Sequence, residues 1–279
     1  LFNEILLRMN ISIKNNTTQQ LREGFSVENY CIFLFVGSGA FSVNSVDFEY
    51  DGHTILFLSP YQKIEFLKEI PAEVEVLQFH GDFYCIEYHK EEVACNGLLF
   101  NNIYMQPHIQ LSEEHFSEIK SIFKRIKTEL GEKTTYSQAV LRSYLQLILA
   151  LSSKDKSLIL KDLMLKVNNS IGLDFQKNLE TYFLTERSVA FYADKAHLSV
   201  DTFSKKIKQL FEKSPAKLIQ ERIVLEAKKQ LHLTCKSIKE IAFEMNFEDE
   251  FYFSRFFKKA VGLSPKHFRE TVGISVVAK

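Results

Sequence analysis

Ser237-Ile-Lys-Glu-Ile-Ala242, followed by Phe247, Phe253-Ser254, Lys258 and Ser264-Pro265, repeats an earlier stretch of the same chain. The earlier copy reads Ser188-Val-Ala-Phe-Tyr-Ala193, then Leu198, Phe203-Ser204, Lys208 and Ser214-Pro215. The early anchors are about 49 residues apart and the later ones about 50, a one-residue difference placed in the turn. An ordered series of matched anchors is hard to obtain by chance. Ser188 and Ser237 stand where an N-cap belongs, since a hydroxyl there accepts from the free amides of a first helical turn. A short helix follows each. Its apolar face is Val189, Tyr192 and Ala193 in one copy and Ile238, Ile241 and Ala242 in the other.

Ser199 and Asp249 are the expected caps of a second helix in each copy, running to about Phe211 and Val261. The buried faces are Phe203, Ile207 and Leu210, and then Phe253, Phe256 and Phe257. Their spacings of three and four place them on one side and turn the intervening residues outward. Pro215 and Pro265 sit in the first turns of following helices, each behind a capping serine. Ile219, Ile223, Ala227 and Leu231, at four-residue steps, predict a helix joining the two copies.

On these residues the chain resembles the AraC/XylS family of bacterial transcription regulators. The resemblance rests on Tyr192-Ala193, Leu198-Ser199, Ser214-Pro215, Arg222 with Ala227, Ser237-Ile238 with Glu240-Ile241-Ala242, Phe247, Phe253-Ser254-Arg255, Phe257-Lys258-Lys259 and Gly262-Leu-Ser-Pro265 with Phe268-Arg269. It covers roughly residues 172–270. The chain departs from the family in three places. Glu212-Lys213 stands where the family has glycine before the first Ser-Pro pair. Asn246 replaces a glycine, which is mild because asparagine tolerates a left-handed backbone. Lys205 sits where arginine is frequent, and lysine lacks the flat fork that grips guanine.

The resemblance implies a double helix-turn-helix module reading two successive major grooves on one DNA face. Carried over by position, the base-reading candidates are Asp201, Thr202, Ser204 and Lys205 in the first copy, and Glu250, Phe251, Ser254 and Arg255 in the second. Arg255 has the geometry to grip guanine and Phe251 to pack on a thymine methyl. Glu250 either accepts from a cytosine amine or is a first-turn carboxylate favoured by the helix dipole. Lys208, Lys258 and Lys259 are candidate phosphate contacts, which position without specifying. Arg222 and Arg269 read as internal ion-pair or hydrogen-bonding residues.

Net charge over the whole chain is zero. The distribution is uneven: from Arg187 onward there are 18 Lys/Arg against 11 Asp/Glu, so this part is near +7 and the remainder near −7. A basic module on an acidic one suits phosphate binding by one end only.

The front of the chain differs. Residues 30–36 form a nearly continuous apolar run, as in a strand buried on both faces. Gly37-Ser-Gly39 is expected to break it. Residues 41–50 alternate toward Asp51-Gly52, a hairpin-type turn. Further strands are expected at 54–58, 74–79 and 83–88. Regular spacing of strands and turns predicts an all-β barrel or jelly roll over about 11–105. The stretch from Gly39 to Pro60 looks like the cupin-type sensor barrel of the same family.

Two amphipathic helices follow, from Ser112 to about Leu130 and from about Thr135 to Leu151. Polar boundaries in 153–171 suit a linker. The expected fold is therefore α+β in two domains. Residues 1–152 form a cupin-like effector-binding and dimerisation domain with its helical pair, and residues 172–279 an all-α domain with two helix-turn-helix motifs.

Metal-dependent cupins need clustered ligands, and His53, His80 and His89 are single and scattered. No metal and no cofactor is expected, and the effector-binding residues cannot be named. Cys31, Cys85, Cys95 and Cys235 include no Cys-x-x-Cys. With no signal-like or membrane-spanning segment, a cytoplasmic chain with reduced thiols is expected. Cys85 and Cys95 are either buried hydrophobes or a redox pair.

The leading expectation is a regulator, an activator rather than an enzyme. Its partners are double-stranded promoter DNA, a second copy of the chain, a small-molecule effector and RNA polymerase. Two alternatives stand beside it: a cupin oxygenase or isomerase with an accessory DNA domain, and an effector-independent DNA-binding protein whose barrel serves assembly.

Overall fold

The computed structural model describes residues 11–15, 18–44, 46–81, 83–84, 98–100, 103–132, 134–166 and 170–272. The chain divides into two compact units: residues 1–102 with 106–160, and residues 103–105 with 161–279.

The first unit is built on an antiparallel sheet that has seven strands among the described residues. They are β1 (Ile11–Asn15), β2 (Phe25–Ser26), β3 (Tyr30–Val43), β4 (Val46–Leu58), β5 (Lys63–Phe66), β6 (Val74–Phe79) and β7 (His108–Gln110), with a short helix α1 (Thr18–Glu23) after β1. The order across the sheet is β1-β6-β3-β4-β7, and β5 pairs with both β2 and β3.

Within the apolar run at 30–36, residues 31–35 are buried on both faces as its composition predicts, whereas Tyr30 is half-buried and Val36 is 45% exposed. Ile32 and Leu34 point into a core shared with Ile55, Phe57, Leu77 and Phe79. Cys31, Phe33 and Phe35 point into a second core with Phe41, Tyr50, Leu56 and Phe66. Burial pushes the Cys31 thiol up to about 12, so it packs as a neutral hydrophobe.

Helix α2 (Glu113–Glu132) and helix α3 (Ser137–Lys166) as far as residue 160 complete this unit. The Ser112 hydroxyl accepts from the His115 amide at 3.2 Å and caps α2. Phe116, Ile119, Ile122, Phe123 and Ile126 of α2, and Leu141, Leu145, Ile148 and Leu149 of α3, close over the first core.

Four sequence expectations are corrected here. β3 runs unbroken through Gly37-Ser-Gly39, with Gly37 opposite Gly52 and Gly39 opposite Tyr50. Gly39 serves a close approach: a Cβ there would lie 2.7 Å from both the Glu69 carbonyl and the Tyr50 hydroxyl. Tyr50 donates to that same carbonyl at 2.5 Å.

Asp51-Gly52 is not a turn but lies mid-strand in β4. The reversal falls after Val43, where Asn44 takes the left-handed conformation that asparagine tolerates (φ 51°). Phe83 and Tyr84 lie outside any strand, and residues 85–88 of that expected strand lie outside the described residues. The helix expected to end near Leu151 continues to Lys166 through the polar stretch read as a linker. Its polar side chains do not interrupt the backbone, because Ser152, Ser153 and Lys156 turn inward and are buried.

The second unit is helical: α4 (Ser170–Tyr182), α5 (Val189–Lys195), α6 (Val200–Phe211), α7 (Pro215–Leu233), α8 (Ile238–Glu244), α9 (Glu250–Val261) and α10 (Pro265–Val272). Leu218, Ile219, Ile223, Ala227 and Leu231 bury one side of α7. This helix packs on α6 and on α8, α9 and α10.

Candidate nucleic-acid interface

Each copy of the repeat folds as a short helix, a turn and a longer helix, with its ends set by local hydrogen bonds. Ser188 accepts from the Phe191 amide at 3.3 Å to start α5, and Ser199 from Thr202 at 3.3 Å to start α6. In the second copy Ser237 accepts from Glu240 at 3.1 Å. The Glu240 carboxylate accepts the Ser237 amide in return at 2.7 Å, forming a capping box. That backbone bond, aided by the Ser237 side chain, holds the Glu240 carboxyl below its usual range. Asp249 caps α9 by accepting from Tyr252 at 2.6 Å. The Asp249 charge is therefore tied to the helix end rather than simply facing outward.

The turns need left-handed residues. His197 (φ 53°) supplies one in the first copy and Asn246 (φ 57°) in the second, as the asparagine substitution predicts. The longer helices end in the same conformation, at Gly262 (φ 89°) in the second copy but at Glu212 (φ 58°) in the first. A side chain with a Cβ costs roughly 1–2 kcal/mol there. Glu212→Gly is therefore expected to raise the stability of the helical unit by about 1 kcal/mol. Thermal unfolding of wild type and variant checks this, and an unchanged or lowered midpoint counts against it.

The inward faces pack on aromatic clusters. Phe203 is fully buried, with Phe175 at 5.5 Å, and Phe175 stands edge-on to Tyr192 at 5.5 Å. Phe253 and Phe257 are fully buried, with Phe247 and Phe268 against them at 5.1 and 5.4 Å. Leu210 and Phe256, expected in the same faces, are half-buried.

The outward faces hold the candidate residues. On α6, Asp201, Thr202, Lys205 and Lys208 are exposed and Ser204 is half-buried. On α9, Phe251, Arg255, Lys258 and Lys259 are exposed, while Glu250 and Ser254 are half-buried. Phe251 is 75% exposed, an unusual position for a large apolar ring with no partner surface. Tyr252, 48% exposed beside it, belongs to the same surface and was missed in the sequence.

Arg222 and Arg269 are internal, as expected. Arg222 Nε donates to both Glu180 carboxylate oxygens at 3.0 and 2.9 Å, and its guanidinium lies 3.8 Å from the Phe183 ring centroid. Arg269 donates to the Leu231 carbonyl at 3.1 Å. Among the described residues there is no group of three His, Cys, Asp or Glu side chains placed to hold a metal ion, and no helix long and apolar enough to cross a membrane. His89, Cys85 and Cys95 lie outside the described residues.

Two capped helix pairs, each with one face in an aromatic core and the other bearing basic and polar groups, define a helix-turn-helix DNA-binding class of domain. Residues 192–271 match a family described as a helix-turn-helix domain. Residues 192–271 therefore form a helix-turn-helix domain. The raffinose operon transcriptional regulatory protein RafR of Pediococcus pentosaceus is 36% identical over 61 residues, which is 22% of this chain and 22% of that protein. The chain thus spans about a fifth of the length of that curated relative.

Among solved structures, the C-terminal domain of the response regulator AraT of Geobacillus stearothermophilus is similar at 28% identity and a TM-score of 0.37. That likeness covers 40% of this chain and 93% of that one. Unsaturated fatty acid-bound ToxT of Vibrio cholerae is similar over 97% of both chains, at 13% identity and a TM-score of 0.42.

Proposed function

We propose that this chain is a sequence-specific DNA-binding transcription regulator, with activation its expected direction. The observation that carries the reading is the repeated arrangement of α6 and α9. Each is anchored by a phenylalanine core and turns outward a row of side chains able to meet base edges. Within each α5–turn–α6 and α8–turn–α9 unit, the second helix enters a major groove. Asp201, Thr202, Ser204 and Lys205 face one groove, and Glu250, Phe251, Ser254 and Arg255 the next. Lys208, Lys258 and Lys259 meet phosphates on either side.

The sheet unit is a cupin-like effector domain in this reading. A small molecule switches the protein only by binding one arrangement of the DNA modules better than another. The exposed Leu147 and Leu158 on α3, eleven residues apart and so on one side of the helix, support a homodimer through that helix. RNA polymerase is the partner that an activator requires, and such a protein works in the cytoplasm without catalysing a reaction.

The test is selection of genomic fragments by the full-length protein at several salt concentrations, followed by sequencing. A shared motif with two contacts one helical turn apart supports the reading; salt-sensitive binding with no preferred sequence overturns it. On the recovered site, Arg255→Ala is expected to cost about 1–3 kcal/mol and to relax preference at one base pair. Lys258→Ala is expected instead to weaken all sequences alike and flatten the salt dependence. Fluorescence anisotropy titrations on the recovered site and its single-base variants distinguish the two. An equal loss on every sequence for Arg255→Ala removes it from the base-reading set.

A further inference from the structure

We propose that Arg187 is a positioning residue that locks the two helix pairs into the mutual orientation needed to engage two grooves at once. This rests on the DNA-binding reading above. Arg187 immediately precedes Ser188, the cap of α5, at the start of the first copy. Its guanidinium nevertheless belongs to the second copy. Nη2 donates to the Met245 carbonyl at 2.5 Å and to the Asn246 carbonyl at 3.0 Å. These are the C-cap and the left-handed turn residue that follow α8.

A cation there faces the negative end of the helix dipole and satisfies carbonyls that the helix leaves free. The flat face of the same group lies 4.0 Å from the Phe247 ring centroid. Phe247 in turn packs on Tyr252, Phe253 and Phe256 of α9 at 5.7, 5.1 and 5.3 Å. One side chain thus joins the segment leading into one pair to the turn and recognition helix of the other.

The repeat supplies an internal comparison. The residue matching Arg187 in the second copy is Lys236, and it stays local, pairing with Glu244 at 2.6 Å. Capping its own copy would have needed no arginine. The reach to a partner 58 residues away is specific to the first copy. Helix α7 also connects the pairs, and a helix of this length can curve along its axis. A second tie away from that axis removes this freedom.

The groove beside the tie has a volume of about 470 Å³ and is walled by Arg187, Tyr252, Asp249 and Arg255, among others. Arg187 is therefore next to the base-reading face without belonging to it. Lysine cannot replace it, because a point charge neither stacks on Phe247 nor spans two carbonyls in a fixed fork.

The experiment measures full-length protein by fluorescence anisotropy on three duplexes: the selected site, the same site with one of its two contacts randomised, and the site with base pairs inserted between the contacts. Arg187→Gln is expected to weaken the intact site about tenfold and the single-contact duplex less than about twofold. It should also lose less affinity on insertion than wild type does. A merely structural role predicts equal losses on the intact and single-contact duplexes. That outcome, or no loss on the intact site, overturns the proposal.

Thermal unfolding accompanies each titration. If Arg187→Gln does not fold, Arg187→Lys carries the same comparison, with the same ordering of losses expected. A wild-type protein that selects no sequence overturns the DNA-binding reading and the lock with it. A wild type that selects a site while the variants behave like it overturns the lock alone.

Discussion

Truncating Phe253 to alanine is expected to abolish site-specific DNA binding by loosening α9 rather than by removing a contact to DNA. The ring is fully buried at the centre of a cluster, with Phe247 at 5.1 Å and Phe257 at 6.0 Å. Phe257 passes the packing on to Phe268 of α10 at 5.4 Å. Removing a buried phenylalanine leaves a cavity and costs about 3–5 kcal/mol, a large share of the 5–15 kcal/mol that holds a typical domain together.

Phe251→Ala is the paired control. Its ring is two residues away and mostly in solvent, so its loss should leave the unfolding midpoint within error and weaken only DNA sites carrying the matching thymine. Thermal unfolding and anisotropy on the two variants decide the matter. If Phe253→Ala unfolds like wild type, the aromatic cluster does not hold the recognition helix.

Lys156→Met is expected to stabilise the sheet unit below neutral pH and to lose that advantage in alkaline solution. Lys156 is 1% exposed, and its ammonium donates to the Gln106 carbonyl at 2.9 Å. Burial pulls its pKa down from 10.5 to about 7. His108, the titrating neighbour coupled to it, is held down to about 4 by its own burial and by Lys156, and so stays neutral near pH 7.

The sign follows from proton counting. Between about pH 7 and 10.5 the unfolded chain binds a proton on Lys156 that the folded chain does not. Wild-type stability therefore rises with pH through that window, and below about 7 the full cost of burying the charge is present. That cost is on the order of 5 kcal/mol. Methionine removes it but leaves the Gln106 carbonyl short of a donor, at about 1–3 kcal/mol.

The variant should accordingly be more stable than wild type by about 3 kcal/mol at pH 6 and no more stable at pH 10. Chemical denaturation at both values measures the crossing. A variant less stable than wild type at pH 6 would show that the ammonium is worth more than its burial costs.

Much of the helical unit was legible because its signals are local. A serine with a glutamate three residues on, a proline behind a serine, and phenylalanines three and four apart act within one or two helical turns. The caps at Ser188, Ser199, Ser237 and Asp249 and the outward rows on α6 and α9 accordingly stand where the spacing put them. Left-handed geometry at Asn246 was legible for the same reason.

The sheet was legible only as a set of apolar runs. A glycine marks a turn, a break or a close approach with equal ease. Only the pairing of β3 with β4 shows that Gly39 makes room for Tyr50 and that Gly52 lies mid-strand. The polar run from Ser152 to Lys156 carried the composition of a linker, yet long-range packing carries the helix through it and buries three of its five side chains. Arg187 lay outside every local pattern because its acceptors are 58 residues away. Interactions spanning a few residues are encoded where they act, whereas those joining distant segments exist only once the intervening chain has folded to bring them together.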